Sequence, residues 1–525
     1  MESHGKVGEW RERVSIARPQ RAMPLAVGTA IVVVAGIALR FWGLSRQSYW
    51  GDEFFTVRQA SEGLRRVLAV GNAEVHTPFY ASLLSQWVGW GPGDGTTLTW
   101  TRLMSALLGA LAVPVAWISL RGSRLSAEAR CLAVATVAAS GFAIVYSHEA
   151  RSYSLLFLAA TGLTATTLVW ALAPESAPLR TLPWIAWGAW AVVASLTHLF
   201  GLVLALGCVG VLVVLRRRWL EARLLTVLTF VAALPEALWL LRGRTTPGFA
   251  GVTSWIQAPG PAQIADLMTS TFAAGTIRAD ADGFPWVSPW GVAIVALLLA
   301  GAFVAGRLLR VTDSPDKTRT EVPTNGRAAA VLLVLAGGVI VSSLIVSQVV
   351  HLWTLRNMIV VVPALSWGLL LLVLSWAGKA RPWFSGAILL CLGASLALTG
   401  VGLQVTYKND YRGALTYLAQ ARAETTDLTI VLAGDAIPRA WYLSTDEPVP
   451  VGLPEEVFAS AVFLPRPSFL DKVSPLPGPV VYVLALSLTA RDDDPAAALL
   501  LERVGGPATC SIVPMHGVAI VRCGG

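Results

Sequence analysis

Residues 49–55 read Tyr49-Trp50-Gly51-Asp52-Glu53-Phe54-Phe55, two adjacent carboxylates standing directly behind the first apolar run of the chain, residues 22–39. That position is the edge of a membrane, where a charged side chain costs several kcal/mol and is retained chiefly to handle substrate or ions. Asp52 alone has a plainer explanation, because an aspartate at a helix start accepts hydrogen bonds from first-turn amides. Capping leaves Glu53 without a role, and further polar motifs gather on the same side.

With 55% hydrophobic and 14% charged residues over 525 positions, the chain is too apolar for a water-soluble globular protein and reads as a mainly α, polytopic membrane protein. The net charge of +8 does not point to nucleic acid, since the basic residues sit in short loops between apolar runs, where they report orientation. Lys6, Arg11, Arg13, Arg18 and Arg21 precede the first run, which places the N-terminus in the cytoplasm and the carboxylates outside. That run is long for a signal peptide, lacks a cleavage site and is followed by many others, so it is kept as a membrane helix. Further basic loops at 121–130, 180, 216–223, 307–327 and 379–381 mark cytoplasmic turns. Spans then fall near 98–120, 131–147, 153–172, 184–199, 200–215, 224–241, 289–309, 328–350, 357–377 and 383–402, about eleven with the first. An odd number carries the C-terminus outside.

The expected organisation is a cytoplasmic tail at 1–21, a membrane domain at 22–404 with outer loops 41–97 and 242–288, and an extracytoplasmic α/β domain at 405–525. Phe54, Val57, Leu64, Val67 and Leu68 recur at helical spacing, which predicts one amphipathic helix on the bilayer surface. The apolar segment 77–90 is too short to cross a core of roughly 30 Å and reads as interfacial. Beyond residue 405 we expect a helix at 411–422 and strands at 428–432, 480–486 and 518–521. Asp492, Asp493 and Asp494 form a solvated lead-in to a helix starting near Pro495. Cys131, Cys208 and Cys391 sit in spans, where the usual role is packing. Cys510 and Cys523 flank a hairpin around 514–517 in a compartment that permits disulfides, and the sequence leaves their pairing open.

Four polar motifs fall at the outer ends of spans: His76-Thr77-Pro78, Ser147-His148-Glu149-Ala150-Arg151-Ser152-Tyr153, Thr197-His198-Leu199-Phe200-Gly201 and Leu355-Arg356-Asn357. Each has a bland reading. Glu149 and Arg151 can form a local ion pair, His198 can be a packing residue, and Arg356 can anchor a span at the headgroups. Chance would scatter such motifs over both faces, whereas here they share one.

Trp-x-Asp-Glu after the first span, His-x-Pro-x-Tyr, Glu-Ala-Arg-x-Tyr after the third, a later Thr-His and an Arg near the end of the helical part together resemble bacterial members of glycosyltransferase family 39. These are polytopic GT-C enzymes, relatives of protein O-mannosyltransferases and lipid A aminoarabinose transferases. The resemblance covers about residues 40–525, with Thr77, His148 and Asn357 standing where Pro, Gln and Tyr are common. It implies a GT-C fold in the plasma membrane and an inverting transfer of a hexosyl or pentosyl group, mannosyltransferase-like, from a polyprenyl-phosphate donor. The acceptor, a glycan, lipid or protein, would lie outside the membrane.

The residue types suit that chemistry independently. An acceptor hydroxyl needs a carboxylate to take its proton, and an anionic phosphate leaving group needs cations or polar donors. Asp52 is the candidate base. Glu53, about 100° further round a helix, faces a different partner, the acceptor or a structural cation. Arg151 and Arg356 are candidates for the phosphate, Glu149 for orienting Arg151, and His76 and His198 for donating to phosphate or sugar. Tyr49, Trp50, Phe54 and Tyr153 stack on the sugar, line the lipid path or form an interfacial belt. A divalent cation, magnesium or manganese on Asp52 or Glu53, is left open. Two other classes compete: a transporter of lipid-linked sugars, for which neither internal repeats nor broken helices are evident, and a polysaccharide-binding assembly protein anchored by its spans.

Overall fold

The computed structural model describes residues 19–70, 77–93, 95, 97–173, 181–216, 219–243, 259–272, 278–279, 285–286, 324–348, 353–377, 381–404, 408, 410–425, 427–433, 462–464, 473, 475–485, 495–515 and 517–524. Its helices are α1 (Pro19–Phe41), α2 (Gly51–Ser61), α3 (Leu64–Val70), α4 (Phe79–Gly89), α5 (Leu98–Leu120), α6 (Ala127–Ala139), α7 (Gly141–Ser147), α8 (Tyr153–Leu172), α9 (Thr181–Thr197), α10 (Leu199–Arg216), α11 (Trp219–Gly243), α12 (Pro261–Phe272) and α13 (Thr324–Ser347). A 3₁₀ turn, Leu355–Val361, leads into α14 (Val362–Trp376), followed by α15 (Arg381–Gly402), α16 (Tyr411–Glu424) and α17 (Pro495–Val504).

Among the described residues, six helical segments are long and apolar enough to cross a membrane, seven if α6 and α7 count as one bent span, and α9, α10 and α11 contain shorter apolar stretches. Each falls on a segment expected to span, and the expected helix at 289–309 lies outside the described residues. The innermost is α8, apolar around its circumference and therefore enclosed by its neighbours α5, α9, α10 and α13.

The sequence suggested no broken helix, yet α6 and α7 meet at a 44° bend. Ser140 there takes an extended conformation, and its Oγ accepts from the Ala143 amide at 3.3 Å, starting α7 as a new helix. The break deprives α6 of partners for its last carbonyls, a cost of several kcal/mol in an apolar setting. Arg40 supplies them: its guanidinium, fully buried, donates to Val137 O at 2.9 Å, Ala138 O at 2.7 Å and Gly36 O at 2.8 Å. The backbones approach so closely that a Cβ on Gly36 would lie 2.2 Å from Ala138 O.

The single amphipathic helix expected over 54–68 is two helices, α2 and α3. Gly63 between them has φ +89°, a left-handed conformation that stops α2. Glu53, Phe54, Thr56, Val57 and Ala60 face inward from α2, which packs on the 11-residue α4.

After the spans the chain builds a five-stranded sheet of order β4-β3-β5-β7-β6, in which Thr429–Ala433 (β3) pairs in parallel with Val462–Leu464 (β4) and Val480–Ala485 (β5). Val518–Cys523 (β7) runs antiparallel to β5 and to Cys510–Met515 (β6). Two short strands, Arg278–Ala279 (β1) and Pro285–Trp286 (β2), pair within the loop at 242–288. Sequence pattern anticipated β3, β5, β7, α16, α17 and, through the hairpin around 514–517, β6, but not β4. β4 is three residues long; β6 contains Pro514, tolerated because β6 is an edge strand. Cys510 and Cys523 are register partners on β6 and β7, and they are joined by a disulfide.

Candidate active site

The carboxylates open α2. Its N-cap is Trp50, in extended conformation with no side-chain cap, so Asp52 and Glu53 lie inside the first turn and Asp52 is not a capping residue. Negative charge there is favoured by the helix dipole.

Being neighbours on a helix, the two side chains diverge. Glu53 points inward and is fully buried. Arg102 on α5 grips it bidentately, Nε to Oε1 at 2.8 Å and Nη2 to Oε2 at 2.9 Å. The Lys408 ammonium donates to Oε2 at 2.6 Å and the Ala150 amide to Oε1 at 2.9 Å. Of the two partners expected for Glu53, the structure supplies cations. Burial alone would raise its pKa; Arg102 and Lys408 outweigh that and bring it down to about 2. Arg102 spends its other donors on Leu44 O, Gln47 O and Ser48 O, which ties the segment leading into α2 to α5.

Asp52 faces the other way and its side chain keeps a third of its surface exposed. Arg356, from the 3₁₀ turn, donates to Oδ2 at 2.8 Å, and Arg151 Nη2 stands 3.7 Å from the same oxygen. Arg151 is itself locked to α2, with Nη1 donating to Thr56 Oγ1 at 2.6 Å and Asp52 O at 3.2 Å. The Arg356 guanidinium lies 5.0 Å from the Trp50 ring centre and 5.8 Å from that of Tyr153. Burial pushes the Asp52 carboxyl up, but Arg356 and then Arg151 pull harder, so it ends below the usual carboxylate range.

Asp52, Glu53, Arg151, Tyr153 and Arg356 are thus brought into one cluster. Glu149 joins it differently from expectation. Its ion-pair partner is Lys408, Nζ to Oε1 at 3.3 Å, because Arg151 turns toward α2. Burial raises its pKa in spite of Lys408. His198, between α9 and α10, is buried, accepts from the Phe200 amide on Nδ1 at 3.1 Å and adjoins Asn357. His76 lies outside the described residues. Tyr49, Phe54 and Tyr153 are at most 5% exposed, so they are core residues and not an interfacial belt.

Sequence reading missed Arg102, Thr56 and Lys408. A charged residue inside the apolar run 98–120 was a usable signal for Arg102. Lys408 and Glu53 are 355 positions apart, and no spacing announces that pair.

Among the described residues no three His, Cys, Asp or Glu gather as metal ligands. Among the described residues the charged partners of Asp52 and Glu53 are guanidiniums and an ammonium, a setting that does not fit a divalent cation.

No family model and no curated protein matches the chain by sequence. Two solved structures of ArnT from Cupriavidus metallidurans match it with TM-score 0.50, covering 94% of this chain and 97% of theirs. One is in the apo state, at 15% identity, and the other is bound to undecaprenyl phosphate, at 16%. The Archaeoglobus fulgidus oligosaccharyltransferase, in complex with Zn and sulfate, gives TM-score 0.42 at 12% identity over 76% of this chain and 56% of its own, too little to weigh. What the ArnT structures establish is architecture: this mostly helical membrane chain has an ArnT-like fold, in keeping with the GT-C resemblance of its motifs.

Proposed function

We propose that the chain is an inverting membrane glycosyltransferase that moves a sugar from a polyprenyl-phosphate carrier to a hydroxyl acceptor at the outer face of the plasma membrane. The observation that carries this reading is Asp52, a partly exposed carboxylate held between two otherwise buried guanidiniums. Among the described residues, two positive charges there face one negative charge, and that excess suits a phosphodiester monoanion. Arg also presents a planar fork that matches two phosphate oxygens. The ArnT-like fold, seen elsewhere with undecaprenyl phosphate bound, supports the same class of donor.

In this reading the donor phosphate competes with Asp52 for Arg356 and Arg151. A carboxylate paired with two arginines is a poor base; as the phosphate takes over the guanidiniums, Asp52 regains basicity where the acceptor arrives. The acceptor oxygen then forms a bond to the anomeric carbon while its proton passes to Asp52. The bond from that carbon to the phosphate oxygen breaks, its electron pair staying on the carrier, whose added charge the arginines meet. The Trp50 and Tyr153 rings, 5.0 Å and 5.8 Å from the Arg356 guanidinium, favour its charge at that place. The transporter reading gains nothing from the bent span, because Arg40 seals its break.

The test is release and transfer of labelled sugar from a panel of polyprenyl-phosphate sugars by the purified protein in detergent. We expect transfer by the wild type and a loss of about 10²–10⁴-fold in Asp52→Asn. A wild type that binds no polyprenyl phosphate would sink the reading. The outward placement is tested by a reporter fused after Gly525, expected to be active only outside the cytoplasm.

A further inference from the structure

Lys408 lies between α15 and α16, outside the membrane-spanning helices, yet its side chain is only 3% exposed and meets two carboxylates, Glu53 and Glu149. Those carboxylates sit on the two turns that carry the proposed chemistry. Glu53 adjoins Asp52, and Glu149 is two residues before Arg151. The same stretch is stitched to the entry of α2 elsewhere: the Lys408 amide donates to Gln47 Oε1 at 3.2 Å, the Arg412 amide to Ser48 Oγ at 3.1 Å, and Arg412 Nη2 to Ser45 O at 3.1 Å. Arg46 also reaches Gln404.

We infer that Lys408 is a positioning residue. By bridging Glu53 and Glu149 on the sealed side of the two turns, it fixes the gap between Asp52 and Arg151 on their open side. The two carboxylates depend on it unequally. Glu53 keeps Arg102 if the ammonium is lost, so α2 stays attached to α5. The ion pair of Glu149, among the described residues, is with Lys408. Without that cation Glu149, 3% exposed, takes a proton and its turn comes loose. Arg151 rides on that turn. The segment leading out of the last span toward the C-terminal sheet is therefore part of the site's frame. The catalytic consequence rests on the proposed function; the clamp does not.

The experiment uses the full chain in detergent with three variants: Lys408→Met, which keeps length and removes charge, Lys408→Arg, which restores charge, and Lys408→Met with Glu149→Gln. Hydrogen exchange is followed in fragments covering 148–152, since the Ala150 amide donates to Glu53 across the clamp. For Lys408→Met we expect exchange there to quicken on the order of tenfold. We expect kcat for transfer to fall about 10²-fold with a smaller change in the KM for donor, as for a reacting group misplaced by about 1 Å. Lys408→Arg should recover much of both. If the Met variant does not fold, the double variant, which carries no orphaned carboxylate, decides with the same two measurements. Unchanged exchange and unchanged kcat in a folded variant lacking the ammonium overturn the inference. If the wild type transfers no sugar at all, the proposed function fails, and the exchange measurement still decides the clamp.

Discussion

Asp52→Asn is the most informative single change, because the structure makes two opposite demands of it. The amide keeps the shape of the side chain and removes one negative charge from between Arg356 at 2.8 Å and Arg151 at 3.7 Å. As general base, the carboxylate supplies about 10²–10⁴-fold of rate, roughly 3–5 kcal/mol of barrier, so transfer should fall by that factor. As competitor for the guanidiniums it opposes the donor phosphate, so its removal should tighten phosphate binding. One third of the side chain is exposed, which places the pair between a surface ion pair, worth under about 1 kcal/mol, and a buried one, broken at about 3–5 kcal/mol. An intermediate value of about 1–2 kcal/mol corresponds to roughly 5–30-fold tighter binding. Calorimetric titration of undecaprenyl phosphate into the detergent-solubilised variant measures the second effect, and initial rates with a competent donor measure the first. Slower transfer with weaker phosphate binding would mean that Asp52 helps hold the donor and does not compete with it. Near-normal transfer would remove the base assignment outright.

Arg356→Lys keeps the charge but loses the planar fork and its stacking near Trp50 and Tyr153; we expect the donor KM to rise about tenfold while thermal stability changes little. Glu53 has a folded-state pKa of about 2 against an ordinary 4.5, so the stability it contributes is full above about pH 4.5 and is lost as pH falls toward 2. The stability gap between wild type and Glu53→Gln should accordingly narrow by about 3 kcal/mol over that window, read from melting curves at stepped pH. Replacing Cys510 and Cys523 by Ser opens a bridge between residues 13 positions apart, which should destabilise the C-terminal sheet by about 3 kcal/mol and match the effect of reductant on the wild type.

How much of this was legible in the sequence depends on the range of the interaction concerned. Apolar runs located the helices of the described spans, because burial or lipid exposure is written in composition over about 20 residues. The acidic pair and the Glu149-Ala150-Arg151-Ser152-Tyr153 turn announced themselves as charges where charges are expensive. The partner of each charge was not legible. Glu149 and Arg151 are two residues apart and look like a pair, yet Arg151 is drawn to Thr56 and the Asp52 backbone while Glu149 is left for Lys408. The bend between α6 and α7 was hidden for a similar reason. Ser140 reads as an ordinary helical residue unless Arg40, a hundred positions earlier, is known to cap the carbonyls it releases.

Adjacent acidic residues on one helix turn each end between two cations here, Glu53 in a sealed set and Asp52 in an open one, and the division has a consequence for the proposed reaction. The sealed set, Glu53 and Glu149 with Arg102 and Lys408, balances two negative charges against two positive ones when both carboxylates are ionised. It places little net field on the open set, where two arginines face Asp52. A phosphodiester donor brings one negative charge, which with ionised Asp52 balances both guanidiniums. Transfer then moves a proton onto Asp52 and leaves the carrier phosphate doubly charged, so the same two positive charges are balanced again. The net charge of the cluster is zero before and after the chemical step, so its surroundings need not reorganise to absorb a new charge. Losing one arginine would break the balance at both ends of the reaction, in the bound donor and in the departing carrier. Arg151→Gln should therefore depress kcat as well as raise the donor KM, whereas a residue that only gripped the donor would move KM alone.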